Sequence, residues 1–238
     1  MLKSLIITGC PRTGSSGLVS LLNQSQEIFV SGELSTFHPD EDFFQKNKYR
    51  LQKETIEALA NKNWTIDQVY HMISTDNYPL DIKVFGDKAP DYCLNKDIAQ
   101  YIVDRYGQNS YFIFTDRDFC GIAYSFLHRT KREKDTKAMW YTNSIDVAIE
   151  RIRKYYMNMI EVLIPNVKNK IIVNYEKSMS DPSYIKHKIY KFLGVDIPIE
   201  KVAETYHSDS YDDWKTKLRY TQQQKINTYF DGIKLGAK

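Results

Sequence analysis

Ile6-Ile7-Thr8-Gly9-Cys10-Pro11-Arg12-Thr13-Gly14-Ser15-Ser16, continued by Gly17-Leu18-Val19-Ser20-Leu21-Leu22, is the stretch from which the fold of this 238-residue chain can be read. Leu5 to Thr8 reads as a short buried strand, and Leu18, Leu21 and Leu22 mark the apolar side of a helix; a glycine-containing loop joins the two. A loop that ends at a helix N-terminus aims several free backbone N–H groups, and the positive end of the helix dipole, at one spot. Such a spot suits a phosphate. Gly9 and Gly14 keep the frame of a P-loop, G-x-x-x-x-G-K-[ST], but Ser15 stands at the lysine position. The loop therefore lacks the point charge that reaches the outer phosphates of a nucleoside triphosphate. Arg12 and the hydroxyls of Thr13, Ser15 and Ser16 remain as donors. The bland alternative is an ordinary strand-to-helix turn with a serine cap; the alignment of strand, glycines, arginine and paired hydroxyls favours a phosphate site not made for ATP hydrolysis.

The rest of the chain bounds what that site can belong to. Its length accommodates one large α/β domain spanning residues 1–238, with no linker, internal repeat or low-complexity tract to divide it. The net charge is only +3, with Lys and Arg scattered, so nucleic acid is not the expected partner. Three cysteines, Cys10, Cys93 and Cys120, form an odd set without metal-ligand spacing, which predicts a reducing, cytoplasmic setting and no metal. The apolar run Leu5 to Ile7 is far too short for a signal peptide or a membrane span, so no membrane association is expected. The 18 tyrosines sit singly and read as packing.

Further strands are expected at Ile28-Phe29-Val30, ending at Ser31-Gly32-Glu33, and at Leu80 to Phe85, followed by a loop Gly86-Asp87-Lys88-Ala89-Pro90. Tyr111 to Thr115 is fully apolar, as in a buried parallel strand, and Ile171-Ile172-Val173 is the last. Helices are expected over Phe43 to Lys62 (apolar side Leu51, Ile56, Leu59), from Thr65 through Val69, Tyr70 and Ile73, and over Asn95 to Tyr106. Others run through Tyr124 and Leu127, over Ile145 to Leu163 with Pro165 as the stop, and over Pro182 to Leu193 and Thr221 to Ile233. Strands alternating with helices imply a doubly wound parallel sheet flanked by helices, with ligands at the carboxyl ends of its strands.

Arg117 falls where the strand Tyr111 to Thr115 ends, and Ser125 and Arg129 share one face of the following helix. Taken alone they read as a solvated face paired with Asp116 or Asp118. Beside the first loop they suggest a second anion site, because arginine pairs with phosphate through two hydrogen bonds, and hence a ligand with two separate phosphates.

Pro11-Arg12-Thr13-Gly14-Ser15-Ser16, together with Arg117 and Ser125 in an Arg-x7-Ser element, resembles the two signatures of sulfotransferases that use 3′-phosphoadenosine 5′-phosphosulfate. The resemblance extends to Ser31-Gly32-Glu33, Gly86-Asp87-Lys88-Ala89-Pro90 and Asn174-Tyr175-Glu176, and is nearest in layout to the tyrosylprotein and bacterial small-molecule branches. It implies a P-loop-like fold and transfer of a sulfuryl group without a metal to the hydroxyl of a small molecule, saccharide or peptide. It places the donor's 5′ end on Arg12, Thr13, Gly14, Ser15 and Ser16, and its 3′-phosphate on Arg117, Ser125 and Arg129. It makes Tyr175 a further nucleotide contact, and also Trp214 and Lys215 in the segment Ser208 to Lys217, of which Asp213-Trp214-Lys215 is loosely similar; a buried tryptophan that anchors the last helix is the alternative there. Glu33 becomes the base that deprotonates the acceptor, with His38 as competitor. Lys88 and Arg12 would stabilise the leaving 5′-phosphate, a charge that exists fully only in the transition state. Asp87 has no evident role. A P-loop kinase and a non-catalytic nucleotide-binding module are the alternatives; the first lacks its loop lysine, and the second has no need of both Glu33 and Lys88. Neither the acceptor nor the oligomeric state has a readable code.

Overall fold

In the computed structural model, which describes residues 2–40, 51–128, 142–198 and 212–235, the run Leu5-Ile6-Ile7 is wholly buried. Alternate side chains serve opposite layers: Ile6 clusters with Phe112, Phe114 and Ile152, whereas Leu5 and Ile7 cluster with Leu18, Ile113 and Ile189. A strand apolar on both faces belongs in the middle of a parallel sheet, and β1 (Lys3–Gly9) lies there. The chain continues through α1 (Ser15–Leu22), β2 (Ile28–Gly32), α2 (Lys53–Lys62), α3 (Ile66–Thr75) and β3 (Val84–Lys88). It proceeds through α4 (Lys96–Tyr106), β4 (Tyr111–Asp116), α5 (Phe119–His128), α6 (Ile145–Asn158), β5 (Asn169–Asn174), α7 (Tyr175–Ser180) and α8 (Pro182–Leu193). The last helices are α9 (Trp214–Lys217) and α10 (Tyr220–Tyr229). Among the described residues the strands form one five-stranded sheet, all parallel, in the order β2-β3-β1-β4-β5.

That order positions the site. The chain winds from β1 to one side, through β2 and β3, and then crosses to β4 and β5 on the other. The winding therefore reverses at β1, and ligands of such sheets bind where it reverses, beyond the carboxyl ends of the strands. Register brings those ends level: Lys88 pairs with Ile7 and Gly32, Gly9 with Thr115, and Asp116 with Asn174. The loop after Gly9, Glu33, Lys88, Arg117 and Tyr175 consequently leave from one edge.

Several elements differ from the sequence reading. The third strand is Val84–Lys88 rather than Leu80 to Phe85; Leu80 is fully exposed, and Gly86-Asp87-Lys88 are strand and not loop. The alternation of Leu80, Ile82 and Val84 imitates a half-buried strand, but β3 lies between β1 and β2 and is buried along its whole length. In α2 the buried residues are Glu54, Thr55, Ala58 and Leu59, and Ile56 points outward, 53% exposed. The expected beginning of that helix, residues 43–50, lies outside the described residues. Tyr70 of α3 is exposed, although the helix start is as expected, with Thr65 and Gln68 capping each other reciprocally. Pro165 does not stop the helix after α6. A wider π-type turn over Met159–Leu163 intervenes and the helix runs on to Asn166. The wide turn includes Glu161, whose carbonyl a proline ring at 165 would otherwise meet.

Candidate active site

The loop after β1 is fixed from below. Thr13 donates through its hydroxyl to the Cys10 carbonyl (2.7 Å) and lies 2.5 Å from the Thr115 hydroxyl, which ties the loop to the end of β4. Gly14 is the N-cap of α1, at φ 85°, and provides no side-chain cap. A Cβ at that position would stand 2.4 Å from the Tyr175 ring, so glycine is required both for the conformation and for the approach of the ring. The helix therefore begins with its first N–H groups turned toward a hollow of about 210 Å³, lined by Arg12, Gly14, Ser15, Ser16, Gly17, Arg117, Tyr175 and Met179. An uncapped helix start flanked by two guanidiniums is suited to an anion of phosphate size.

Arg12 and Arg117 are interlocked. Arg12 Nε donates to Ser125 Oγ (2.8 Å), and Arg117 Nη1 donates to the Arg12 carbonyl (3.0 Å). The Arg117 guanidinium also lies over the Tyr175 ring, 4.3 Å from its centroid. The two stretches expected to bind anions thus meet directly, with Ser125 held to Arg12. Trp214 lies near Arg117: a Cβ at Gly121 would be 3.0 Å from Arg117 Nε and 3.4 Å from Trp214 Cδ1. Lys215, by contrast, pairs with Asp212 at 2.7 Å. Arg129 and residues 208–211 lie outside the described residues.

Beyond α1, on the β3 side, stands a buried ammonium. Lys88 is 2% exposed, and its Nζ lies 2.8 Å from Glu33 Oε1, 3.3 Å from Ser16 Oγ and 3.5 Å from Glu54 Oε1. This lysine reaches the loop after β1 from the neighbouring strand, at a loop that has serine where P-loops carry their lysine. Glu33 has a left-handed backbone, φ 60°, and its N–H bonds to the Lys88 carbonyl (2.7 Å). Its side chain is 41% exposed, and Gln52 Nε2 donates to its second oxygen (3.3 Å). Glu33, the expected base, therefore reaches both Lys88 and open space.

Asp87 has a structural role. Fully buried, it accepts hydrogen bonds from Ser31 Oγ (2.5 Å), the Leu34 N–H (3.2 Å) and the Tyr92 hydroxyl (2.5 Å), so it holds both sides of the turn that carries Glu33. Burial nevertheless pushes its carboxyl above the usual range. Five non-glycine residues among those described have positive φ; Asn63 and Asp76 are helix C-caps, Arg12 and Glu33 belong to this site, and Ser35 lies two residues after Glu33. Strained backbone of this kind persists where the surrounding structure over-determines it.

His38 accepts the Asp40 N–H on Nδ1 (3.1 Å), and burial lowers its pKa against the opposing pull of Asp40 and Asp91. A neutral ring whose Nδ1 is an acceptor carries its proton on Nε2 and has no second lone pair with which to act as a base. Asp91, half-buried, is raised by burial and then by the Glu33 carboxylate, with His38 and Lys88 opposing. The buried Cys93 thiol is pushed up to about 12 by burial, which leaves it inert as a nucleophile.

Glu54 is the residue that sequence reasoning missed. Its signal is a carboxylate in the stripe Leu51, Glu54, Ala58, spaced three and four apart, which packs against β2. Burial works against its charge, but Lys88, its own N–H and the Ser16 hydroxyl outweigh burial and hold it below the ordinary range. Among the described residues no helix is long and apolar enough to cross a membrane, and no group of three His, Cys, Asp or Glu side chains could hold a metal.

A family model described as "Sulfotransferase family" matches residues 4–198. No curated protein matches the chain. Among solved structures, the "Sulfotransferase Domain from the Curacin Biosynthetic Pathway" superposes with a TM-score of 0.64 at 19% identity, covering 96% of this chain and 97% of that one. The sulfotransferase domain of the Synechococcus PCC 7002 olefin synthase gives 0.59 at 17% identity, covering 96% and 94%. Mouse sulfotransferase SULT7A1, complexed with PAP, gives 0.57 at 12% identity, covering 99% and 86%. At these identities the likeness is one of fold.

Proposed function

The chain belongs to the sulfotransferase family, and from that premise we propose that it moves a sulfuryl group from 3′-phosphoadenosine 5′-phosphosulfate to a hydroxyl acceptor by in-line displacement at sulfur. The observation that carries this reading is the placement of Lys88, whose one buried ammonium touches both Ser16 of the anion loop and Glu33. Donor chemistry and acceptor chemistry meet at that atom. The donor supplies an activated sulfuryl group on a phosphate that can leave as an anion.

Arg12, Thr13, Gly14, Ser15 and Ser16 hold its 5′ end at the uncapped start of α1. Arg117, Ser125 and Arg129 take the 3′-phosphate, with Tyr175 packed on Arg117 and Lys215 as the outlying contact. A mouse family member of the same fold is complexed with PAP, which supports this choice of donor. Glu33 takes the acceptor's proton, and the occupied Nδ1 of His38 favours Glu33 over that histidine. Lys88 and Arg12 bear the charge that gathers on the departing phosphate, an interaction stronger in the transition state than before it. No step requires a metal. The acceptor is a small-molecule, saccharide or peptide hydroxyl, and the three free cysteines fit a reducing, cytoplasmic setting.

Ligand-dependent melting tests the donor choice. Adenosine 3′,5′-bisphosphate is expected to raise the melting temperature well above the shift given by AMP or ATP at equal concentration. A hundredfold excess over Kd is worth about 2.7 kcal/mol of stability. Equal shifts with AMP would remove the 3′-phosphate subsite, and a larger shift with ATP would favour a kinase.

A further inference from the structure

Lys88 has two carboxylates, and they differ in exposure and in the backbone that carries them. Glu33 is 41% exposed and rises from a strained turn; Glu54 is 10% exposed and is fixed on a helix. That helix is seated on β2 by contacts that leave Glu54 little freedom. Thr55 Oγ1 accepts the Gly32 N–H (2.7 Å) and donates to the Gly32 carbonyl (3.3 Å). A Cβ at residue 32 would stand 2.8 Å from Glu54 Cγ, so the carboxylate reaches Lys88 only because that position is glycine. Lys88, which lies 3.3 Å from Ser16 Oγ and 3.5 Å from Glu54 Oε1, links the carboxylate to the loop.

We propose that Glu54 is a positioning residue: a permanent counter-charge that holds the buried Lys88 ammonium against Ser16 while Glu33, on the same ammonium, changes its protonation state. The inference rests on the sulfuryl-transfer reading above. In the transfer step Glu33 takes the proton from the acceptor hydroxyl as the acceptor oxygen forms its bond to sulfur. The bond from sulfur to the bridging oxygen breaks, and its electron pair leaves with the 5′-phosphate. Before the step Lys88 faces two carboxylates; after it, Glu33 is neutral and only Glu54 remains charged. A buried ammonium that has lost every carboxylate is a poorly compensated charge. It is also no longer aimed at the leaving phosphate. Glu54 prevents both, and its effect lies in the step and not in donor binding, because Glu33 still holds Lys88 in the resting enzyme.

The test is a double-mutant cycle on the whole chain, with one working acceptor and saturating donor. Glu54→Gln should lower kcat roughly 10- to 100-fold, the usual scale for removing a group that orients a catalytic one, with adenosine 3′,5′-bisphosphate Kd within about threefold of wild type. Glu54→Asp, which keeps the charge, should recover part of the loss. In a Lys88→Met background, Glu54→Gln should cost nothing further, because its effect passes through the lysine. Should Glu54→Gln melt before assay, Glu54→Asp carries the same cycle, its own loss vanishing in the Lys88→Met background. Wild-type kcat in Glu54→Gln, or losses that multiply in the double variant, would overturn the assignment. A wild-type chain that binds the bisphosphate but transfers no sulfuryl group to any acceptor would instead overturn the functional reading; the Glu54 assignment falls with it only in that case.

Discussion

On the β1–β4–β5 side of the sheet's carboxyl edge, the hollow is lined mainly from one short stretch, Arg12 and Gly14 to Gly17, completed by Arg117, Tyr175 and Met179. On the β3–β2 side, Lys88, Glu33 and Glu54 meet from three separated segments, and Ser16 is their link to the loop. The first side relies on backbone geometry: an uncapped helix start and a left-handed glycine. The second relies on side-chain charge in a buried setting, where each partner depends on the others. Apart from Arg12, which also faces the departing phosphate, the difference predicts that substitutions on the two sides will damage different quantities, affinity on the first and rate on the second.

The largest expected effect sharpens that division. Glu33→Gln keeps the size of the side chain but cannot take a proton, so transfer should fall by roughly 10²–10⁴. Its affinity for adenosine 3′,5′-bisphosphate, read by calorimetry, should remain within about threefold of wild type. An undiminished rate would return the base to His38 or to no residue. Next in size is Arg117→Ala, which removes the guanidinium between Tyr175 and the Arg12 carbonyl. Bisphosphate affinity should weaken about ten- to a hundredfold, the scale of one lost charge-assisted hydrogen bond, with AMP affected far less. Proportionate loss of both ligands would break the separation of a 5′ end from a 3′ end.

A smaller effect separates the two buried carboxylates beside Lys88. The Glu54 carboxyl is held below its ordinary 4.5, so the stability it contributes is present above that value and lost as pH falls through its folded value. The Asp87 carboxyl is raised, so the folded chain binds that proton more tightly and gains stability from it as pH falls toward 3.8. Melting curves between about pH 7 and 3.5 should therefore show the gap between wild type and Glu54→Gln closing with acid. The gap between wild type and Asp87→Asn should widen over the same range. For a chain of this size each 1 kcal/mol moves Tm by about 2–4 °C. Parallel curves would mean that neither carboxylate senses its surroundings as described.

The same division explains how much could be read in advance. The hollow was legible because its parts are neighbours in sequence: the strand Leu5 to Thr8, both glycines and the helix start all fall within one short stretch. The doubly wound parallel sheet was legible from the alternation of apolar strands with helices. Glu33 is legible at a strand end and Lys88 in what reads as a loop, but the bond between them is not legible, since Gly32 and Lys88 become neighbours only through the β2–β3 register. β3 was misplaced because its second half, Gly86-Asp87-Lys88, carries polar groups that serve the site and so lacks the apolar alternation of an ordinary strand. Glu54 was missed because Ile56 drew the apolar side of α2 to the wrong face. The reason a carboxylate sits inside that stripe, a buried ammonium on another strand, has no local trace. Asp87 likewise acquired a role only when Ser31, Leu34 and Tyr92 were seen to converge on it.

If one buried lysine joins the donor loop to the base, the rate of labelled sulfuryl transfer from 3′-phosphoadenosine 5′-phosphosulfate must differ between wild type and Lys88→Met. Across a panel of alcohol, phenol, saccharide and tyrosyl-peptide acceptors, the wild type should label at least one class. With that acceptor, Lys88→Met should remain slow at saturating donor, its deficit in kcat exceeding any loss in donor Kd. Full recovery of the rate at saturating donor would make Lys88 a binding residue only, and contradict the account.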